Sequence, residues 1–210
     1  MSERAPGSAE SPASSANPGE RRPRADARRN LDALIQAART VFARSGVDAP
    51  AKEITDLAGV GVGTLYRHFP RRAALVAAVL QHEIDACADA GPALSAAHEP
   101  VLALARWMDR YTAFVGTKRG LASALHSGDP AFEGLHAYFL QRLEPALAEL
   151  LDAAAATGEV RDDIGARDVL HAIALLSRPV PGEDDPAYSR RLVSVFVDGL
   201  RTPSRPAPPA

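Results

Sequence analysis

Apolar residues recur at intervals of three and four residues along almost the whole chain, and no long stretch alternates apolar with polar residues. The first pattern puts apolar side chains on one face of an α-helix, whereas alternation is typical of a half-buried β-strand. Ala, Leu, Arg and Glu, which are frequent in helices, are also plentiful. The sequence therefore predicts an all-α fold.

The chain has 210 residues, of which 46% are hydrophobic and 24% charged. This length and composition are sufficient for one compact domain and a second, smaller domain. The single cysteine, Cys87, excludes an internal disulfide and a cysteine-built zinc site. No stretch is apolar for long enough to span a membrane, and residues 1–30 lack the apolar segment of a signal peptide. We therefore expect a cytoplasmic protein with no membrane partner.

The charges are distributed unevenly along the chain. Residues 20–72 hold eleven Arg or Lys against six Asp or Glu, a net charge of +5, and residues 73–210 hold twelve against eighteen, a net charge of −6. A basic block beside an acidic one is typical of a chain whose basic part binds a polyanion. Ordinary scatter of charges is the alternative explanation.

Composition divides the chain into four parts. Residues 1–26 are mostly Ser, Pro, Ala, Gly, Glu and Arg, and this composition predicts a disordered arm. Four prolines among the last eight residues predict a disordered tail over 203–210. Between these ends we expect one domain over 27–72 and a second over 73–202.

Two amphipathic helices are predicted at the start of the first domain. An apolar stripe runs from Leu31 to Phe42 and stops at Ser45-Gly46, where a helix commonly ends in a left-handed residue. A short second helix should follow Pro50 and end at Gly59. It spans Ala51–Ala58, with Ile54, Leu57 and Ala58 facing inward.

A short third helix should follow Gly61. Val60, Leu65 and Phe69 have the spacing of an inner face. The outer face is then formed by Val62, Gly63, Thr64, Arg67 and His68. Two short helices joined by a tight glycine turn, the second carrying small and hydrogen-bonding side chains, are typical of a helix-turn-helix. Residues 27–72 are therefore predicted to form a three-helix DNA-binding domain.

The remainder should form a second helical domain. A long helix is predicted from Arg71 to a break at Gly91-Pro92. Further helices are predicted over about 100–115, 121–126, 131–157, 166–177 and 186–200.

The helix-turn-helix residues resemble the amino-terminal domain of the tetracycline-repressor (TetR) family. The resemblance is carried by Leu34–Gly46, Glu53-Ile54, Ala58-Gly59-Val60 and Gly63-Thr64-Leu65-Tyr66-Arg67-His68-Phe69. It covers about residues 30–80, and the rest of the chain is similar only in its helical pattern. It implies a homodimeric repressor that binds a near-palindromic double-stranded DNA operator. It also implies that the second domain binds a small-molecule effector and forms the dimer.

The resemblance assigns DNA roles to the third helix and its neighbours. Thr64, Tyr66 and His68 match positions that contact phosphates, and Val62 and Gly63 face the major groove, where an apolar side chain can touch a thymine methyl. Additional positive charge comes from Lys52, Arg67, Arg71 and Arg72. The arginines at positions 21, 22, 24, 28 and 29 either reach a minor groove or remain solvated.

Two residue sets in the second domain are candidates for ligand binding and dimerisation. The search area for an effector pocket is Trp107, Met108, Tyr111, Phe114, Leu125, His126, His136 and Phe139. The candidate dimer interface is Leu170, Ile173, Leu192, Val195, Phe196 and Gly199. Burial inside the monomer is the alternative for both sets.

Two other classes of protein remain open at this stage. One is a helical enzyme, although the sequence contains no paired carboxylates in a shared motif, no His-Glu-x-x-His and no nucleophile motif. The other is a helical ligand-binding or interaction protein that does not bind DNA. We expect no cofactor and no bound metal, and we do not expect an enzyme.

Overall fold

The computed structural model describes residues 18–117, 128–178, 182, 185 and 187–201. The helices are α1 (Pro18–Ser45), α2 (Ala51–Ala58), α3 (Val62–His68), α4 (Arg72–Ala88), α5 (Ala90–Ala97), α6 (Pro100–Thr117), the 3-10 turn η1 (Pro130–Phe132), α7 (Leu135–Ala155), α8 (Ala166–Leu176) and α9 (Tyr188–Asp198). Apart from an isolated antiparallel bridge between Val160 and Arg201, all regular structure in the described residues is helical, which confirms the all-α prediction. None of the described helices is sufficiently long and apolar to cross a membrane.

Helices α1, α2 and α3 form the predicted helix-turn-helix unit. Helix α2 has the predicted bounds and ends at Gly59, whose φ of 69° lies in the left-handed region. The amide of Val60 donates to the carbonyl of Thr55 over 3.1 Å and closes the turn into α3. Leu65 and Phe69 of α3 are buried in the core that also contains α1 residues, so the predicted inner face is confirmed.

The prediction that Leu57 faces inward is wrong, because its side chain is 56% exposed. Thr55 is buried instead, and its hydroxyl donates to the carbonyl of Lys52 over 3.1 Å. Ile54 and Thr55 bracket the buried arc of α2. At about 100° per residue, Leu57 lies about 110° from the centre of that arc. The position of Leu57 on the helix, and not its apolar side chain, therefore determines its exposure.

Helix α1 begins before the predicted boundary at residue 27. Its first residue is Pro18, so residues 18–26 of the expected disordered arm are helical. Proline fits the first position of a helix because its missing N–H has no intrahelical partner there. The first residue of α1 that packs against the core is Leu31. The remainder of the arm, the tail over 203–210 and the helix predicted over 121–126 lie outside the described residues.

The chain breaks between α4 and α5 at Asp89 rather than at Gly91-Pro92. Both predicted breakers lie in the first turn of α5. Proline is tolerated in a first helical turn, where it removes no intrahelical hydrogen bond. Gly91 is buried against α7, where an added Cβ would lie 3.7 Å from the carbonyl oxygen of Ala146.

The second domain is built around helices α4, α6, α7 and α8. The segment predicted as one helix over 131–157 is divided into η1 and α7 by Gly134, whose φ is 75°. In the core, the indole of Trp107 donates to the carbonyl of Cys87 over 2.9 Å, and the hydroxyl of Tyr111 donates to the carbonyl of Leu170 over 3.0 Å. Burial raises the pKa of Cys87 to about 12 and also raises the pKa of Tyr111.

Two glycines of the helix-turn-helix predict opposite effects of one substitution. We expect Gly59→Ala to lower the free energy of unfolding by about 1 kcal/mol, since an L-residue is strained in the left-handed region. Gly63→Ala should raise it by about 0.5 kcal/mol, because Gly63 lies in a helix and alanine favours helices. An added Cβ meets nothing within 4 Å at either site, so the two variants differ in backbone conformation alone. Urea unfolding curves measure both, and equal effects would contradict the argument.

Candidate functional site

The outward side of α3 is the candidate DNA-reading surface. Val62 is 41% exposed and Tyr66 is 53% exposed, and Gly63 and Arg67 are exposed beside them. Thr64 and His68 are half-buried at its edges. Arg67 makes no hydrogen bond or ion pair with any residue that the structure describes. The surface therefore combines an uncommitted cation, hydroxyl and imidazole groups and one apolar side chain.

Glycine leaves the start of this surface without a side-chain cap. Gly61 occupies the N-cap position of α3 in an extended conformation, and its carbonyl accepts from the amide of Thr64 over 2.9 Å. An added Cβ at Gly61 or Gly63 would meet nothing within 4 Å. The N-terminal end of α3 is consequently open to a large partner, with Val62 as the side chain that projects from it.

Lys52 lies on the outside of α2 and is paired within its own helix. Its ammonium is 2.7 Å from the carboxylate of Asp56, one turn further along, and both side chains are largely exposed. Such i,i+4 pairs contribute only a few tenths of a kcal/mol. Lys52 can therefore exchange Asp56 for a phosphate at little cost.

Arg72, a predicted DNA contact, is half-buried and bound to the backbone of the helix-turn-helix, and its role at DNA stays a prediction. Its Nε donates to the carbonyl of Val47 over 2.7 Å, and a terminal nitrogen donates to the carbonyl of Ala49. The guanidinium also lies 5.1 Å from the ring centroid of Phe42, and burial lowers the pKa of Arg72. Arg72 therefore fastens the start of α4 to the loop between α1 and α2. Its acceptors are backbone carbonyls, which no residue pattern identifies.

Arg71 points away from Arg72, toward the second domain. Its Nη1 lies 3.0 and 3.1 Å from the two carboxylate oxygens of Asp129. The same carboxylate accepts a hydrogen bond of 2.8 Å from the amide of Ala131 at the start of η1. Sequence reasoning missed this contact, because the two residues are 58 positions apart and share no motif.

Helix α4 is tied to α1 on one side by two polar contacts. Arg39 and Glu83 form an ion pair at 2.7 Å, and the side-chain nitrogens of Gln36 and His82 are 2.6 Å apart. These contacts join the helix-turn-helix to the middle of α4.

On its other side, α4 is tied to α7. One carboxylate oxygen of Asp85 accepts from the hydroxyl of Tyr138 over 2.6 Å and from Nε of Arg142 over 2.8 Å. Arg142 also donates to Asp89 over 2.8 Å. The hydrogen bond to Asp85 raises the pKa of Tyr138. A displacement of α7 would therefore reach α4 directly through these groups.

The predicted effector pocket is mostly core. Trp107, Met108, Tyr111, Phe114 and Phe139 are each less than 8% exposed, and the aromatic rings among them pack with centroids 5.7 to 6.5 Å apart. Trp107 and Tyr111 can be fully buried because their polar groups donate to buried backbone carbonyls.

Of the three remaining residues of that search area, the structure describes only His136. His136 is exposed and its ring lies 6.3 Å from that of Phe139 and 6.5 Å from that of His171. Leu125 and His126 lie outside the described residues.

A cavity of about 580 Å³ lies on another face of α6, between α6, α9 and the end of α8. Five small apolar residues line it, together with four hydroxyl groups, one carboxylate and one guanidinium. The lining residues are Ala105, Asp109, Thr112, Ala113, Gly116, Ser177, Ser189, Arg190, Val193, Ser194 and Val197. Its size and mixed lining suit a small molecule. No sequence motif indicates this cavity, because its lining residues are common types without a shared pattern.

The predicted dimer interface is divided between core and surface. Leu170 and Ile173 are fully buried inside the chain, which corrects that part of the prediction. Val195 is 71% exposed, with Leu192 and Phe196 half-buried and Gly199 exposed on the same part of the chain. Leu175, which was not predicted, is 62% exposed. The apolar surface available to a partner therefore runs along α9 and the end of α8.

Family models match both parts of the chain. Residues 34–79 match the model described as bacterial regulatory proteins of the tetR family. Residues 99–202 match the model described as the C-terminal domain of SbtR-like transcriptional regulators.

Individual relatives agree with these models. The HTH-type transcriptional repressor Rv3405c of Mycobacterium tuberculosis is 34% identical over 148 residues, which cover 68% of each chain. The crystal structure of the TetR transcriptional regulator SCO0520 from Streptomyces coelicolor is 37% identical with a TM-score of 0.68, covering 83% of this chain and 99% of that one. The TetR regulatory protein from Mycobacterium vanbaalenii is also 37% identical, with a TM-score of 0.65 and coverage of 85% and 99%.

Proposed function

Because the chain belongs to the TetR family of bacterial transcriptional regulators, we propose that it is a repressor. In this proposal a homodimer binds an inverted-repeat operator and leaves it when a small molecule binds the second domain. The observation that carries the proposal is the outward face of α3, where Tyr66, Arg67 and Val62 are exposed above a core formed by Leu65 and Phe69.

We assign the groups on this face to two roles. Thr64, Tyr66 and His68 contact phosphates, and Arg67 and Lys52 add positive charge beside them. Val62 and Gly63, at the N-terminal end of α3, face the base edges in the major groove. Phosphate contacts position the helix, so sequence reading depends mainly on the methyl groups of Val62.

The dimer is proposed to form through the exposed apolar residues of the second domain. Leu175 and Val195 are the most exposed of these, and Leu192 and Phe196 continue the surface. A two-fold interface through α8 and α9 would present two copies of α3 to successive turns of a duplex, about 34 to 36 Å apart. Residues 27–72 and 73–202 are then the DNA-binding and the effector and dimerisation domains.

The first test is selection from a pool of random-sequence duplexes with the full chain. We expect enriched duplexes to carry an inverted repeat, and their affinity to fall steeply as salt increases. Replacing Tyr66 and His68 together by alanine should weaken binding at least about a hundredfold, since four hydrogen bonds of about 1 kcal/mol each are lost in a dimer.

The matched control for this experiment is His136→Ala, an exposed histidine of the second domain. It should bind the enriched duplex as the wild type does. Circular dichroism verifies that both variants are folded. Enriched duplexes without an inverted repeat would contradict the dimeric repressor.

Val62 predicts which base groups the operator presents. Thymine carries a methyl group in the major groove that uracil lacks. We expect one thymine-to-uracil replacement in each half-site to weaken wild-type binding about thirtyfold, since two apolar contacts of about 1 kcal/mol each are lost in a dimer. In the Val62→Ala variant the same replacement should have almost no effect. Equal losses in both proteins would show that Val62 does not contact that methyl group.

The effector is proposed to bind in the cavity between α6 and α9. Its wall contains hydroxyl groups and the oppositely charged Asp109 and Arg190, which suits a small polar molecule with an apolar part. Helix α6 also carries the core aromatic residues that contact α4 and α8. A ligand that shifts α6 would therefore change the position of α4.

A screen for small molecules that release the enriched duplex tests this assignment. We expect Ala113→Phe, which fills the cavity, to bind DNA normally but to need at least about tenfold more of each active compound for release. The control is Ala96→Phe on α5, an exposed alanine outside the cavity. A wild-type response of Ala113→Phe would place the effector elsewhere.

A further inference from the structure

Two adjacent arginines at the start of α4 bind to different domains. Arg72 is bound to backbone carbonyls of the helix-turn-helix, and Arg71 is bound to a carboxylate of the second domain. Arg71 lies three residues after His68 and lines a cleft of about 250 Å³ together with Tyr66 and Arg72. It therefore belongs to the edge of the surface proposed to meet the phosphate backbone.

The partner of Arg71 is held in place by the second domain. Asp129 precedes η1, and its carboxylate caps that turn by accepting from the amide of Ala131. η1 packs against α4. The carboxylate cannot follow Arg71 toward DNA without breaking this cap.

The ion pair itself is easily exchanged. The side chain of Arg71 is 58% exposed and that of Asp129 is 26% exposed. Ion pairs at that exposure stabilise a protein little, because water and salt compete with them. A phosphate offers the guanidinium charged oxygens in place of the carboxylate and releases counterions when it is neutralised. DNA can therefore compete with Asp129 for Arg71.

We infer that Asp129 holds Arg71, one of the cations predicted beside the DNA, in the free protein and releases it to a phosphate of the operator. The inference rests on the proposed DNA-binding function. Because the second domain positions Asp129, it sets how strongly the carboxylate competes with the phosphate. The ion pair is then a direct electrostatic link between that domain and the DNA-binding domain.

The test uses the full chain and four variants. Asp129→Asn removes the charge and keeps a side-chain oxygen that can cap η1. Arg71→Gln removes the cation, and the double variant removes both. Glu133→Gln, an exposed carboxylate at the end of η1, is the control for the loss of one negative charge. The probes are the enriched duplex and a random-sequence duplex of equal length, each measured over a range of salt concentrations.

We expect Asp129→Asn to bind both duplexes about twofold to fivefold more tightly per DNA-binding domain, with the salt dependence of the wild type. Arg71→Gln should reduce the slope of log K against log salt by about one per domain. In the Arg71→Gln background, Asp129→Asn should have no further effect. Glu133→Gln should bind as the wild type does.

Other outcomes overturn the inference. If Asp129→Asn tightens binding equally with and without Arg71, the carboxylate only repels DNA at a distance. If Arg71→Gln leaves the salt slope unchanged, Arg71 does not reach a phosphate. Both results leave wild-type binding intact, whereas a wild type that binds neither duplex would contradict the proposed function itself.

Discussion

The arrangement of this protein depends on the burial of α4 against both halves of the chain. Leu75, Val76, Val79, Leu80 and Ile84 are each less than 4% exposed. Helix α4 packs against α1 on one side and against α6 and α7 on the other. A helix that is apolar around most of its circumference cannot tilt without repacking its neighbours. Any reorientation of α3 relative to the second domain therefore requires a coordinated change along α4.

The polar contacts of α4 determine its orientation relative to α1 and α7 and contribute little to the stability of the fold. Glu83 faces Arg39 of α1, whereas Asp85 and Asp89 face Arg142 of α7. Exposed pairs of this kind contribute at most about 1 kcal/mol each. Apolar burial resists displacement of α4, but it is non-directional and does not specify which polar group faces which helix. The carboxylates point toward arginines of different helices and so select one orientation of α4.

The sequence was sufficient for features that depend on local geometry. The bounds of α2, its end at Gly59 and the inward positions of Leu65 and Phe69 follow from helical periodicity and glycine. The orientation of Leu57, the carbonyl partners of Arg72 and the burial of Leu170 could not be predicted in this way. Each depends on which face of a helix meets a segment far away in the sequence, and an apolar stripe does not identify that segment. The same limit applies to the cavity beside Ala113, whose lining residues come from three helices.

The formal charge of the first domain overstates what is immediately available to DNA. Arg44 is paired with Glu53 and Lys52 with Asp56, and Arg39 is engaged by α4. Arg67 is the exception on α3, having no such partner among the described residues.

Binding a duplex is consequently an exchange of partners as well as a gain of new contacts. Each exposed carboxylate that loses its cation to a phosphate recovers hydration, because water solvates it at little cost. Salt weakens both the old and the new pair, but only the phosphate releases condensed counterions. The exchange therefore favours DNA at low salt. The extent of the exchange depends on how rigidly each carboxylate is held. For Arg71 that carboxylate is Asp129, which the second domain positions, so this pair links the second domain to the DNA-binding surface.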